Sequence, residues 1–205
     1  MSLEGLPSPV SLAQSNRERP LFMDVFPPID YPGFSWNSST RRVNAAGYIS
    51  TIPSSSFLLP FDIAAVRTGG YYVSLDTCIL RLYPSGSNIT IAGVCGATST
   101  TGASGPATSV VLGAPRGLAI TGNGGVLFAD ESAHCVRLVG PSGYLSTVAG
   151  ICGTYGSSAD GTIATSANIN RPYGVSTDAR GGFAFTVRSY RRFSCTQMPA
   201  RVIFF

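Results

Sequence analysis

The most regularly spaced reactive side chains in this sequence are cysteines. Cys78 and Cys95 stand 17 residues apart, Cys135 and Cys152 repeat that separation, and Cys195 is left over. Two readings stay open for the four: a disulfide in each of two repeated units, or small buried hydrophobes. A hairpin turn at 140–143 would set Cys135 opposite about Val148, with Cys152 four residues further on. Cys78 falls near Gly93 in the same way, so closing either bridge requires some movement of the loop. The chain has one histidine, His134, and a zinc centre built on histidines needs several. Asp130 and Glu131 are adjacent, so on a strand end their side chains point opposite ways and make no general acid/base pair. Asp130 reads as a turn acid accepting backbone N–H bonds. No Gly-x-Ser-x-Gly, P-loop or dinucleotide fingerprint occurs. No catalytic residue, cofactor-binding residue or metal ligand is therefore assigned, and no cofactor is expected. Asn37-Ser-Ser39 and Asn88-Ile-Thr90 are glycosylation sequons. Together with the cysteines they favour an extracellular or cell-surface address.

The elements that would position these residues are short strands. Apolar, aromatic and Cys residues make up 44% of the 205, enough for a folded core, while 24 glycines, 14 prolines and only 12% charged residues point to many turns. No window of eighteen apolar residues suggests a membrane span, and the first twenty residues carry no secretory pattern. Net charge is +4, with every basic residue an arginine. Arg188, Arg191, Arg192 and Arg201 crowd the C-terminus, but the balanced remainder argues against a nucleic-acid groove.

The chain repeats itself. Pro60, Pro115 and Pro172 open similar segments at separations of 55 and 57. Thr90-Ile-Ala-Gly-Val-Cys-Gly96 matches Thr147-Val-Ala-Gly-Ile-Cys-Gly153 at an offset of 57, as Ala107-Thr-Ser109 matches Ala164-Thr-Ser166. Within one period, apolar runs at 117–121, 126–129, 135–139 and 144–149 are separated by Gly/Asn- and Pro/Gly-containing turns. Four such strands make an antiparallel meander whose faces are satisfied only by stacking on neighbours. The expected organisation is an irregular lead-in at 1–36 and stacked units across 37–187. These comprise a half unit at 40–52, full units at 58–93 and 113–150, and a partial unit at 170–187. A divergent segment follows at 188–205, where 201–205 suits a delayed third strand. The Gly/Ser/Thr-rich stretches 93–113 and 150–168 recur in register and read as ordered surface loops.

Pro115-Arg-Gly-Leu-Ala119, Gly125-Val-Leu-Phe-Ala-Asp130, His134-Cys-Val-Arg137 and Leu145-Ser-Thr-Val-Ala-Gly150 resemble one NHL repeat. Gly105-Pro-Ala-Thr-Ser109 resembles the spacer of that family's long-loop variety. The resemblance implies an all-β fold, a partial β-propeller of four-stranded antiparallel blades. It makes Asp130, His134 and Arg137 structural turn residues. Phe61-Asp62 departs from the family's preference for a residue followed by Gly, Cys78 takes the place of the turn His, and Arg188 falls near an expected acid. Closed propellers of this family commonly have six blades. A longer parent, or self-association, is then expected to complete the ring, the former being favoured. The implied function is a non-catalytic scaffold presenting loops to a protein, glycan or small-molecule ligand. Two alternatives follow from propeller relatives: a lactonase- or lyase-like enzyme with a channel metal near acids such as Asp62, Asp76 and Asp178, completed by missing blades, and an RNA-binding propeller using Arg188, Tyr190, Arg191, Arg192 and Phe193. Nucleic acid is the less expected partner.

Overall fold

The computed structural model describes residues 21–23, 40–44, 46–52, 60–102, 104–178, 180–188 and 202–204. Four antiparallel sheets follow one another along the chain. The first contains β1 (Leu21–Met23), β2 (Thr40–Val43) and β3 (Ile49–Thr51). The second, in sequence order, contains β4 (Asp62–Ala65), β5 (Tyr71–Ser74), β6 (Ile79–Leu82) and β7 (Asn88–Ala92). The central sheet comprises β9 (Pro115–Ile120), β10 (Val126–Asp130), β11 (Cys135–Val139) and β12 (Tyr144–Ala149), with β8 (Gly105–Pro106) added beyond β12. The last contains β13 (Pro172–Thr177), β14 (Phe183–Val187) and β15 (Val202–Phe204). Among the described residues there is no α-helix, only single 3-10 turns at Ala107–Ser109 and Ala164–Ser166. The fold is all-β, part of a β-propeller.

Stacking explains the sequence of β10, whose five residues are all buried. Side chains alternate between faces. Val126 and Phe128 join Ile79 and Ala92 of the preceding blade, while Leu127 joins Ile169 and Phe185 on the following side. A strand between two neighbours has no face left for water, so its apolar and polar residues do not alternate.

Four local features depart from the sequence reading. Within residues 1–36, Leu21–Met23 pair antiparallel with β2 rather than being irregular. Three residues are too few to show a period. Secondly, the long connections are ordered but not confined to the surface. Ala107, Val110 and Leu112 enter the core between the two full blades, and Ala167 and Ile169 are buried in the next connection. Thirdly, Cys135 does not face Val148. Val136 pairs with Ala149 and Arg137 with Thr147, so Val148 is the extra residue of a bulge; Ile91 is its counterpart between Ile79↔Ala92 and Leu80↔Thr90.

The fourth concerns alignment of the turns. Val73↔Leu80 corresponds to Phe128↔Arg137, placing Leu75 at the position of Asp130, Thr77 at that of His134 and Cys78 at that of Cys135. Cys78 thus does not replace the histidine; its turn is simply two residues shorter. In the last sheet, Pro172↔Val187 matches Pro115↔Asp130. Val187 occupies the place of Asp130, and Arg188 that of Glu131.

Candidate ligand-binding face

The two bulges decide where the cysteines meet. Each is followed by a glycine at positive φ, Gly93 at 85° and Gly150 at 88°. A Cβ on Gly150 would lie 2.7 Å from the His134 carbonyl oxygen and 2.9 Å from Cys135 Cα; one on Gly93 would lie 2.5 Å from the Thr77 carbonyl oxygen. Only glycine lets the chain cross so close to the start of the third strand. Two residues later the second cysteine is within bonding reach. Cys78 is joined to Cys95 with Cα atoms 5.0 Å apart, and Cys135 to Cys152 at 5.1 Å. Cys195 lies outside the described residues.

Asp130 sits fully buried at the end of β10. Its carboxylate accepts the N–H groups of Gly113 at 3.0 Å and Ala114 at 2.8 Å, and lies 3.7 Å from Arg137 NH1. It therefore clamps the segment entering β9 rather than its own turn. Burial pushes the Asp130 carboxyl above its ordinary value, opposed by the two amides and by Arg137. Burial likewise lowers Arg137, and the carboxylate opposes that shift. The arginine stays charged, because a guanidinium gives up its proton only at strongly basic pH.

Glu131, next along, turns the other way. Its Oε2 accepts Arg116 Nε at 2.7 Å, and Oε1 lies 3.9 Å from Arg171 NH1. Arg116 also lies 3.5 Å from Asp76 and stacks on Phe61, with Cζ 3.6 Å from the ring centroid. Arg188 stacks on Tyr173 at 5.2 Å. His134, at a positive φ of 58°, accepts the Arg171 N–H on Nδ1 at 3.2 Å, and its ring tilts against Tyr155 with centroids 5.9 Å apart. Partial burial lowers the His134 pKa, Arg171 adds to the shift, and Glu131 and Asp130 oppose it.

These contacts form one continuous surface at one end of the blades. Arg116 and Glu131 are largely buried in it, while Tyr155 (74%) and Tyr173 (38%) remain exposed. Such a surface can stack a ring on tyrosine and meet polar groups with arginine or carboxylate.

Of the residues gathered here, the sequence singles out His134 only as a structural turn residue, Asp76 only as a possible channel acid and Arg188 only for nucleic acid. Phe61, Arg116, Glu131, Tyr155, Arg171 and Tyr173 went unassigned. A signal for three of them existed: Phe61, Arg116 and Tyr173 each follow the repeated proline. The repeats differ in residue type at that position, so the matching residues do not mark it. The three channel acids do not converge. Asp62 accepts Leu118 N–H at 2.7 Å and Ile63 N–H at 2.8 Å. Burial raises its pKa against those two bonds. Asp76 meets Arg116, whereas Asp178 caps the β13–β14 hairpin by accepting Arg180 and Gly182 N–H. Among the described residues no three His, Cys, Asp or Glu side chains gather as a metal site. Asn88 is exposed at the start of β7. Asn37, Tyr190, Arg191, Arg192 and Phe193 lie outside the described residues. No described helix is long and apolar enough to cross a membrane.

Sheets of this order, stacked blade on blade with short turns gathered at their ends, define a propeller-type protein, and solved structures of that type resemble it. A Bacteroides thetaiotaomicron protein of unknown function superposes with a TM-score of 0.63 at 20% identity, over 73% of this chain and 39% of its own. An auxiliary nutrient binding protein from the same organism gives 0.56 at 21% identity, over 72% and 40%. Another from Bacteroides ovatus gives 0.54 at 19%, over 73% and 43%. The chain thus spans about two fifths of the length of these structures. No family model matches the chain, and no curated protein matches it.

Proposed function

We propose that this chain is a non-catalytic, extracellular binding scaffold of NHL-repeat type, with blades at 40–52, 58–93, 113–150 and 170–187. In this reading residues 1–36 lead into the blades, with Leu21–Met23 pairing beside β2, and 188–205 diverge from the repeat apart from Val202–Phe204 beside β14. Asp130, with Arg137 beside it, ties the end of β10 to the segment entering β9, His134 ties its turn to Arg171, and the two disulfides hold the loops. The ligand is a protein, glycan or small molecule, carried by the face around Arg116. The reading rests on one observation: a partly buried arginine is stacked on Phe61 and braced by Glu131, Glu131 reaches Arg171, and two exposed tyrosines pack on the neighbouring His134 and Arg188. Fixed polar groups beside exposed aromatic rings suit recognition, because little side-chain entropy remains to be lost on binding. The nutrient-binding neighbours share the fold and add no more than that.

The test is calorimetric titration with a panel of neutral and acidic oligosaccharides and short peptides, comparing the parent with a Tyr155→Ala/Tyr173→Ala double variant. Binding by the parent that weakens at least tenfold in the variant is expected. Equal affinity in both sinks the assignment of the face. Metal-dependent turnover of lactone substrates would sink the non-catalytic reading.

A further inference from the structure

The two full blades differ at their outermost strand. In the central blade β8 pairs with β12, Gly105 opposite Leu145 and Pro106 opposite Tyr144. The residues after β8 then drop Ala107 and Val110 into the same core as Leu145, which is fully buried. This cover comes from the connection 93–114, long enough to cross the outer edge before turning inward to β9. The connection leading into the preceding blade, 52–61, is less than half as long. Thr51 is the last residue of one blade's outer strand and Asp62 the first of the next blade's inner strand. Among the described residues β7 has β6 on one side and no strand on the other.

The sequence changes with the cover. Leu82↔Asn88 corresponds to Val139↔Leu145, so Asn88 stands where the central blade has its buried leucine. Asn88 is exposed, and the neighbouring Ile89 is 50% exposed. A strand edge that no described strand pairs, bearing an exposed isoleucine, is a template for pairing with another chain. At that point the sequence reads Asn88-Ile-Thr90, an acceptor for N-linked glycosylation.

We infer that Asn88 carries an N-linked oligosaccharide that sheathes the outer edge of β7, taking the place that β8 fills on β12. In the transfer, Asn88 Nδ2 forms a bond to the anomeric carbon of a polyprenyl-pyrophosphate-linked oligosaccharide. The bond from that carbon to the pyrophosphate oxygen breaks, the polyprenyl pyrophosphate leaves, and the amide nitrogen loses one proton. No oxidant or reductant is involved. A hydrated, bulky glycan then blocks approach of a second strand to an edge that no described strand pairs. The inference uses the extracellular part of the proposed function but not its ligand face, so ligand binding and edge protection fail separately.

The experiment is glycopeptide mass spectrometry on the protein isolated from its own cells and medium, using the tryptic peptide that ends at Arg116. Expected is a glycan mass on that peptide, removed by peptide-N-glycosidase with conversion of Asn88 to aspartate. Thr90→Ser should keep the glycan, and Thr90→Ala should lose it. Enzymatic removal from the folded protein should then raise the rate of self-association severalfold by light scattering, and Ile89→Lys should restore monodispersity. An unmodified Asn88 in the natural protein overturns the inference. So does a glycan whose removal leaves self-association unchanged, since that breaks the link to the edge. Asn37→Gln serves as the background, confining the readout to Asn88.

Discussion

The blade at 60–93 and the blade at 113–150 have the same strand order, the same bulge and the same disulfide, yet they hold their second turn by opposite means. In the central blade a buried ion pair, Asp130 with Arg137, sits between the turn and the incoming chain. In the preceding blade the same two positions are Leu75 and Leu80, packed among Tyr71, Val73 and Leu82. There the turn is also shorter, closed directly by Leu75 N–H donating to the Cys78 carbonyl at 2.8 Å. A four-stranded blade therefore does not require the buried charges. They go with a longer turn, which carries His134 and Glu131 out to the candidate face.

The largest expected effect comes from breaking that pair on one side only. Asp130→Ala leaves Arg137 buried without its carboxylate and two amides without an acceptor. A loss of about 3–5 kcal/mol follows, read as a lower urea midpoint by circular dichroism. Asp130→Leu combined with Arg137→Leu copies the preceding blade and should lose less than the single variant. If the double variant is the worse of the two, the longer turn depends on the charges in a way the comparison misses.

Next come the disulfides, which test what the blades share. Both close loops of the same separation, so chain entropy predicts about 3 kcal/mol for each. Their surroundings differ. A Cβ on Gly102 would overlap Cβ of Cys152, so the long connection packs directly on the central bridge. Cys152→Ala with Cys135→Ala should therefore cost more than Cys95→Ala with Cys78→Ala. Equal losses by urea unfolding would show that this packing contributes nothing.

The junctions between blades give a smaller contrast. Gly117 meets the next blade backbone to backbone, and an added Cβ would lie 2.6 Å from the Tyr173 carbonyl oxygen. Asp62, at the equivalent position of the preceding blade, bridges to Leu118 N–H instead, and Ser74 Oγ donates to the Arg116 carbonyl oxygen at 2.6 Å. Gly117→Ala should cost about 1–3 kcal/mol through overpacking. Asp62→Ala should cost about 1 kcal/mol through the lost hydrogen bond. Reversal of that order in thermal unfolding would mean the blades separate slightly to admit a methyl group.

The periodicity of the chain made the blades legible, because strand length, turn glycines and the repeated proline all leave marks in sequence. The fifth strand left none: Gly105-Pro106 has strand character only because β12 lies beside it. Neither the bulges nor the exact facing of the cysteines could be read, since one extra residue in a ladder has no compositional signature. The candidate face was legible least. Its residues share a position in the repeat but not a residue type, and a search for identity passes over Phe61, Arg116 and Tyr173. Asp62 is the reverse case. It breaks the residue-then-glycine pattern, and the structure shows a different bond across the junction in place of close packing.

The smallest expected effect separates the two turns by pH. Thr77 stands at the position of His134, so only the central blade carries a group there that titrates near neutrality. His134 Nδ1 accepts the Arg171 N–H, a bond that needs a lone pair and is lost on protonation. Burial and the Arg171 charge both disfavour the imidazolium, and the nearby Glu131 and Asp130 carboxylates only partly offset them. With the folded pKa below the ordinary value of about 6.5, the unfolded chain takes up its proton first as pH falls. The stability contributed by this site is then present above that value and lost as pH drops through the folded pKa. Because His134 is the only histidine in the chain, its imidazole proton signal can be followed by NMR without assignment. Titration below the usual histidine range is expected, falling further in Glu131→Gln as one opposing charge is removed. A His134→Asn variant, which tolerates the positive φ, should lose the pH slope of its urea midpoint across that window. A titration at or above the ordinary value would place the ring in solvent, and with it would go the tie between the turn and Arg171.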